Sequence, residues 1–474
     1  MITPNSIIYH IITDRFDNEK GDLASLINDP DYNLKFKDFL GGNFKGISSR
    51  IDYLEELGIT HVLISPIQEC NEYHGYNAED PFKINLHFGN EDDLKSMITK
   101  LRRRGIGTIL DYVPTHVSST SPLFLKKSKS KTGRDWFMFK KIKLNAKYRA
   151  YFDELVYKLT SSYPEKLEEI NKSQDYIGFF GLEKSPLMNL KNPDVIEFHK
   201  KVLDHWVDKF GFSAVRFDSA FIQPREFISE LSEHLKDKSR DISLIAENWD
   251  FNIDSGRCSG FSSGEIDIKG VHLLNSMTNN PNFFREIRDH YMKMKDLSRK
   301  GYSLVLSIGN HDTARFSGGE ALQKMNSIIQ FTLPETPLIY YGQEIPMQQY
   351  NDGSDQMAQS RDVMRFDLLP SNMSSFYKNL VEFRKRHDFK KADISEMKVN
   401  DEGKLFSYRL DLNKNVYYVI INNEDREKPI NTLHLFEDRN VSNYDITQKR
   451  SLKRLEKQVI LAKANEGYIL SKKP

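Results

Sequence analysis

Residues 195–218 read VIEFHKKVLDHWVDKFGFSAVRFD, and this stretch decides how the rest of the chain is interpreted. Its first part, Val195–Phe210, places apolar residues at the spacing of one helix face. Gly211 then predicts the end of that helix, because glycine readily adopts the left-handed conformation found after helix C-termini. The part that follows, Ser213–Asp218, is short and nearly continuously apolar, which indicates a strand buried on both faces. The stretch therefore predicts a helix followed directly by a strand of a parallel sheet.

The same order of helix, glycine and strand recurs elsewhere along the chain. Ile47–Leu57 has helical spacing and precedes Gly58, and Asp92–Arg104 has it again and precedes Gly105. This repetition predicts an α/β fold with a parallel sheet, and a series of eight strands predicts a (β/α)8 TIM barrel. The predicted strands are Ser6–Ile12, His61–Pro66, Gly107–Val113, Ser213–Asp218, Ser243–Glu247, the less regular Glu265–Val271, Leu304–Gly309 and Thr336–Tyr341.

Two segments interrupt this alternation. Residues 117–190 form a long insertion after the third predicted strand, and connections of that length are usually functional. Beyond residue 393, Leu405–Leu410 and Val416–Ile421 flank Asn413-Lys414-Asn415, which is a hairpin pattern. The predicted domains are a barrel over residues 1–116 and 191–392, an inserted domain over 117–190, and a C-terminal antiparallel β-sandwich over 393–474.

The composition fits a globular protein that is neither membrane-spanning nor disordered. Of the 474 residues, 39% are hydrophobic and 28% charged, with a mean hydropathy of −0.58. The formal charge is +1, so no basic excess favours nucleic acid or an anionic membrane as a partner. Cys70 and Cys258 cannot form a disulfide framework, and the N-terminus lacks a signal-peptide pattern, so a cytoplasmic location is expected. The oligomeric state stays open.

Polar side chains stand at the ends of several predicted strands. Barrel enzymes hold their active sites at the carboxyl ends of their strands, so residues there are expected to converge. Arg216 and Asp218 are two residues apart, which places them on the same side of their strand. The residues at strand ends are Asp111, His116, Arg216, Asp218, Glu247, Asn310, His311, Asp312, Tyr340 and Tyr341. Several carboxylates, one arginine and two histidines at the same end of a barrel indicate a catalytic site rather than a purely structural role.

Glycoside hydrolysis is the chemistry that such carboxylates suit. It needs an ionised carboxylate to attack or stabilise the sugar cation and a protonated carboxyl to protonate the leaving oxygen. Arg216 would keep Asp218 ionised, and neighbouring carboxylates would raise the pKa of Glu247, so that Glu247 becomes the proton donor. A metal site is the alternative for a cluster of Asp, Glu and His, but a second cation beside Arg216 is unfavourable.

A series of short motifs follows along nearly the whole chain. The motifs are Gly41–Ile47, His74-Gly75-Tyr76, Asp111–His116, Gly211–Asp218, Glu247 at an apolar strand end, Asn310-His311-Asp312 and Tyr340–Glu344. Taken in this order and spacing, they resemble the motifs of the α-amylase family, glycoside hydrolase family 13. Arg361 also resembles a family arginine that lies near the site. Each motif is short, but the ordered set is strong evidence.

The resemblance implies a retaining α-glycoside hydrolase. Its substrate would be α-1,4-linked gluco-oligosaccharides of the maltodextrin or starch type, cleaved through a covalent glycosyl-enzyme. It implies Asp218 as the nucleophile, Glu247 as the general acid/base and Asp312 as a stabiliser of the transition state. The implied substrate-binding residues are Tyr76, Asp111, His116, Arg216 and His311. It also implies that residues 117–190 are the family's domain B and that the tail is its domain C.

Four positions depart from the family pattern. Thr115 replaces the usual asparagine, and Phe221-Ile222 replaces a common Lys-His pair; both family positions are associated with calcium. No metal ligand and no cofactor is predicted; a structural calcium stays open as an alternative, and these replacements argue against it. Gln343 replaces an aspartate. The same catalytic triad serves 4-α-glucanotransferases and related isomerases, so transfer to a sugar acceptor stays an alternative to hydrolysis. Endo or exo action and linkage preference also stay open.

Overall fold

The structure is a computed structural model that describes most of the chain. The described residues are 1–29, 31–35, 37–130, 133–140, 150–151, 153–157, 175–237, 242–248, 264–299, 304–345, 347–349 and 360–472. Cys70 is buried with a free thiol, whereas Cys258 lies outside these ranges. Among the helices described, none combines the length and the apolar character needed to cross a membrane.

Eight parallel strands close into a barrel, and each strand neighbours the next along the chain. The strands are β1 Ile8–Ile11, β2 His61–Ile64, β3 Gly107–Tyr112, β4 Ala214–Phe217, β5 Ser243–Asn248, β6 Glu265–Asp267, β7 Leu304–Leu306 and β8 Thr336–Tyr340. Nearly all of their residues are buried, because the barrel interior and the outer helices cover both faces. The predicted (β/α)8 fold is confirmed.

Helices alternate with the barrel strands as the sequence pattern indicates. The helices are α1 Thr13–Phe16, α2 Tyr32–Lys35, α3 Phe44–Ser49, α4 Ile51–Leu57, α5 Glu91–Arg103, α6 Pro122–Ser128, α7 Pro193–Phe210, α8 Arg225–Asp237, α9 Ile268–Asn275, α10 Phe283–Arg299, α11 Gly319–Thr332, α12 Asn372–Lys385 and α13 Thr432–Phe436. Gly211 caps α7 with a φ of 79°, and its amide donates to the Val207 carbonyl at 2.9 Å. The glycine therefore ends the helix for the predicted reason.

Two elements differ from their predicted bounds. The sixth strand ends at Asp267, and the residues from Ile268 onward, predicted to continue the strand, begin α9. Asp267 Oδ1 accepts a hydrogen bond from the Gly270 amide at 2.9 Å, so this carboxylate caps the helix. The helix predicted over Ile47–Leu57 is two helices, because Arg50 leaves the helical conformation with ψ of 13°.

The inserted segment and the C-terminal segment have their own β structure. In the insertion, Gly178–Phe179 pairs with Leu182–Pro186, and we call residues 178–186 the insertion hairpin. The C-terminal strands are β9 Ala392–Val399, β10 Leu405–Leu412, β11 Asn415–Asn422, β12 Lys428–Asn431, β13 Val441–Asp445, β14 Arg450–Ser451, β15 Arg454–Glu456, β16 Val459–Ala462 and β17 Glu466–Lys472. They form an antiparallel sheet in the order β9-β10-β11-β17-β13-β14 and a smaller sheet in the order β12-β16-β15.

The chain divides into two compact units. The first contains residues 1, 11–51 and 62–266, and the second contains residues 2–10, 52–61 and 267–474. Strands β3, β4 and β5 and the insertion hairpin belong to the first unit. Strands β7 and β8 and the C-terminal sheets belong to the second. The predicted limits of the three domains at residues 116, 190 and 392 stay a prediction.

Candidate active site

Arg216 is the centre of the candidate site in the first unit. Its Nη1 lies 2.5 Å from Asp111 Oδ1 and 3.0 Å from Asp218 Oδ1, and its Nη2 lies 2.7 Å from Glu247 Oε1. Strand register explains this convergence, because Asp111 of β3 lies opposite Arg216 of β4. Ala246 of β5 lies opposite Phe217, which brings the adjacent Glu247 to the same end. All four charged side chains are buried.

Burial and the neighbouring charges shift the pKa values of this cluster in opposite directions. Burial alone would lower the pKa of Arg216, but the carboxylates around it raise its pKa well above the usual value. Burial raises the pKa of Asp111 to about 6, although Arg216 and the Tyr76 hydroxyl both favour its ionised form. Arg216 is therefore a permanent cation, and Asp111 is ionised at neutral pH and protonated in mild acid.

Ser219 holds the two proposed catalytic carboxylates and Gln223 holds the backbone of Asp218, and sequence reasoning missed both residues. Ser219 lies in the left-handed region with a φ of 51°, and its amide donates to Glu247 Oε2 at 2.9 Å. Its hydroxyl donates to Asp218 Oδ2 at 3.1 Å. Gln223 Nε2 donates to the Asp218 carbonyl at 2.7 Å. The position of Ser219 beside Asp218 was the only available signal, and it does not reveal the backbone conformation.

Tyr76 and His116 also belong to this arrangement. The Tyr76 hydroxyl donates to Asp111 Oδ2 at 2.8 Å, so the ring is tied to the arginine cluster through one carboxylate. Burial lowers the pKa of His116 to about 4, which keeps the imidazole neutral at physiological pH. The His116 ring stacks on Phe179 of the insertion hairpin, with centroids 4.7 Å apart. The structure thus brings together six of the predicted site residues: Tyr76, Asp111, His116, Arg216, Asp218 and Glu247.

Asp312 and His311 lie in the second unit, after β7. Asp312 Oδ1 is 2.9 Å from Arg361 Nη2, and Asp312 Oδ2 is 3.1 Å from His311 Nε2. Arg361 Nε also donates to the His311 carbonyl at 2.9 Å. The Tyr340 hydroxyl donates to the Ser360 carbonyl at 3.0 Å, which fixes the segment that carries Arg361. Within this unit, Asp312 is therefore an ion-paired carboxylate whose side chain is partly exposed.

The residues at the departing positions do not fit a calcium ion. The Thr115 hydroxyl shares a hydrogen bond of 3.0 Å with His116 Nδ1, and its carbonyl accepts from the Met188 amide at 2.8 Å. Phe221 and Ile222 are buried and apolar, so they offer no oxygen ligand from their side chains. Gln343 instead belongs to an amide network, because its Nε2 donates to Gln330 Oε1 at 3.0 Å.

We expect chelation to leave the enzyme unchanged. Incubation with excess EDTA should alter neither the activity nor the melting temperature, because the Thr115 hydroxyl is engaged by His116 and the Phe221 side chain has no oxygen. Paired assays with EDTA, with added CaCl2 and with neither would measure this. A melting temperature that falls with EDTA and recovers with Ca²⁺ would contradict the expectation.

We expect activity to decline on the acid side around pH 6. Asp111 carries its negative charge above that pH and loses it as the pH falls, which removes an acceptor from both Arg216 and the Tyr76 hydroxyl. In the unmodified protein, kcat/KM should fall as the pH drops through about 6. The Asp111→Asn variant should be weakly active at every pH and should not show this fall. If kcat/KM of Asp111→Asn still falls near pH 6, the group that titrates there is not Asp111.

Similarity to known proteins extends over most of the chain. The family model described as "Alpha amylase, catalytic domain" matches residues 10–404. Alpha-amylase 2 of Dictyoglomus thermophilum is 30% identical over 451 residues, covering 91% of this chain and 72% of that relative. A cyclomaltodextrinase of Thermoanaerobacter pseudethanolicus is 26% identical, covering 99% and 78%. The solved α-amylase of Geobacillus thermoleovorans, complexed with acarbose, superposes with a TM-score of 0.79 at 20% identity, covering 100% and 99%.

Proposed function

The chain belongs to the α-amylase family of glycoside hydrolases that act on α-glucans, and from this we propose that it cleaves α-1,4-linked gluco-oligosaccharides with retention of configuration. The observation that carries the proposal is that one guanidinium contacts Asp218 at 3.0 Å and Glu247 at 2.7 Å. A shared cation holds these two carboxylates beside each other. Retaining enzymes need such a close pair, because one carboxylate must attack the sugar while the other protonates the leaving oxygen.

Asp218 is proposed as the nucleophile. Arg216 Nη1 and the Ser219 hydroxyl each bond one of its oxygens, and both donors favour the ionised carboxylate. The ionised oxygen attacks the anomeric carbon, the bond to the leaving sugar breaks, and a covalent glycosyl-enzyme forms. The Gln223 contact to the Asp218 carbonyl fixes the backbone from which the attack is made.

Glu247 is proposed as the general acid and then the general base. Three buried carboxylates surround a single guanidinium, so their repulsion favours retention of a proton by the cluster. Glu247 delivers this proton to the leaving oxygen. Once Asp218 has become an ester, its charge is gone and the repulsion falls, so Glu247 can stay ionised. It then accepts a proton from the water that hydrolyses the ester.

The remaining predicted residues complete the proposal. Asp312, ion-paired with Arg361, would bind sugar hydroxyls and stabilise the transition state. Tyr76 would stack under the sugar ring at the cleavage position, and His116 and His311 would hydrogen-bond its hydroxyls. The proposed steps require no metal ion. The proposal also includes a maltodextrin substrate and a cytoplasmic location.

A product profile from maltoheptaose tests the function. Hydrolysis predicts only shorter maltodextrins, and early proton NMR spectra should show the α-anomer before it mutarotates. Release of the β-anomer first would contradict retention. Products longer than maltoheptaose would establish the alternative, a 4-α-glucanotransferase. Failure to convert maltoheptaose at all would contradict an α-1,4-glucan substrate.

A further inference from the structure

A histidine on the first barrel strand points toward the interior of the barrel. His10 belongs to β1 and is 2% exposed. The hydroxyl of the adjacent Tyr9 donates to Glu344 Oε1 at 2.5 Å, and the same oxygen accepts from the hydroxyl of Tyr53, which lies on the outer helix α4. Tyr9 therefore points outward. Because successive side chains of a strand point to opposite faces, His10 points inward.

The His10 ring meets the His311 ring edge-to-face, with centroids 5.0 Å apart and planes at 89°. Aromatic rings favour this arrangement, because the positive edge of one ring meets the negative face of the other. Strand pairing fixes His10 itself, since it lies opposite Tyr340 of β8 and its carbonyl accepts from the Tyr341 amide at 3.1 Å. His10 is therefore a rigid surface against which the His311 ring packs.

The orientation of the His311 ring matters because this ring holds Asp312. Both oxygens of the Asp312 carboxylate are engaged, Oδ1 by Arg361 Nη2 at 2.9 Å and Oδ2 by His311 Nε2 at 3.1 Å. Rotation of the imidazole would break the second contact. A carboxylate that stabilises a transition state must be oriented before the reaction starts, because reorientation during the reaction costs free energy.

The backbone of His311 is fixed independently of its ring. The His311 carbonyl accepts from Arg361 Nε at 2.9 Å and from the Ser360 hydroxyl at 3.1 Å. Neither contact involves His10. Removal of the His10 ring should therefore free the imidazole of His311 and leave the loop that carries it in place.

We propose that His10 is a positioning residue, which holds the His311 imidazole so that it orients Asp312 for the transition state. This inference rests on the proposed function, in which Asp312 stabilises that state. His10 acts through His311, and the parts of the site held by Arg216 do not depend on it.

His10→Leu is the test variant, because leucine is of similar size but has no aromatic ring. On maltoheptaose we expect kcat to fall about tenfold, equivalent to about 1.4 kcal/mol. KM should stay within about twofold, because the interaction that is lost acts in the transition state. His10→Phe restores an aromatic edge and should keep kcat within about twofold of normal. The melting temperatures of both variants should match that of the unmodified enzyme.

A double-mutant cycle tests whether His10 acts through His311. In a His311→Asn background, His10→Leu should cause no further loss, because its partner ring is already gone. His61→Leu is the matched control, since His61 is the first residue of β2 and lies at the opposite end of the barrel. It should keep normal kcat. A normal kcat in His10→Leu, a loss that Phe does not rescue, or additive losses in the double variant would overturn the role of His10.

A measurement without substrate separates this inference from the proposed function. In ¹⁵N NMR spectra, the ring nitrogens of His311 can be identified by their loss in His311→Asn. Their shifts should be those of one fixed tautomer in the unmodified enzyme and in His10→Phe, and averaged in His10→Leu. A fixed tautomer in His10→Leu would overturn the inference. If the unmodified enzyme leaves maltoheptaose unchanged, the proposed function fails instead, and the spectra still decide the role of His10.

Discussion

Asp218→Asn is expected to lower kcat on maltodextrins by on the order of 10³-fold or more. An amide cannot attack the anomeric carbon as a carboxylate does, so no glycosyl-enzyme forms. The fold should persist, because the amide keeps the shape of the side chain and Arg216 retains Asp111 and Glu247 as partners. Initial rates on maltoheptaose, with the melting temperature as a check on folding, would measure the effect.

Two further observations would make this assignment secure. Asp208→Asn changes an exposed aspartate of α7 in the same unit and should keep full activity. In the unmodified enzyme, a fluorinated glucosyl fluoride that slows breakdown of the intermediate should label the peptide containing Asp218, as seen by mass spectrometry. A rate near normal in Asp218→Asn, or a label on another residue, would remove Asp218 from the role of nucleophile.

Glu247→Gln is expected to lower the rate on maltodextrins by about 10²- to 10⁴-fold, the usual contribution of a general acid/base. Its loss should depend on the leaving group, because fluoride needs no proton to depart. With α-maltosyl fluoride the first turnover should therefore remain fast, and later turnovers should be slow, since no base activates the water that cleaves the ester. A burst of fluoride release would show this separation.

Azide provides a complementary measurement for the same variant. Azide needs no general base, so it should react with the ester on Asp218, restore turnover and release an α-maltosyl azide. Glu226→Gln, on the exposed face of α8, should show neither the loss nor the rescue. Equal slowing of the first and later turnovers in Glu247→Gln, without rescue by azide, would rule out the acid/base role.

The barrel could be predicted because its strands are buried on both faces and its helices on one. Continuous apolar runs such as Gly107–Tyr112 indicate strands buried on both faces. Glycines such as Gly211 indicate where the helices end. At the sixth strand, where the predicted bounds were wrong, a local polar contact decided the outcome. Residues 268–271 are apolar enough for a strand, but the Asp267 side chain caps the Gly270 amide and starts a helix.

The candidate site was predictable only in part. The spacing of Arg216 and Asp218 places them on one side of a strand, and parallel register brings Asp111 beside Arg216. Ser219 and Phe179 could not be found in this way. The first acts through a backbone conformation that its residue type does not indicate, and the second reaches His116 through a hairpin distant in sequence.

The left-handed backbone of Ser219 separates the two roles of this residue. A non-glycine residue in that conformation costs about 1 kcal/mol, a strain that glycine would relieve. Glycine would keep the amide that holds Glu247 but lose the hydroxyl bonded to Asp218. The contact to Glu247 therefore needs no side chain at residue 219, and the strain of a serine there serves the hydroxyl contact to Asp218 alone.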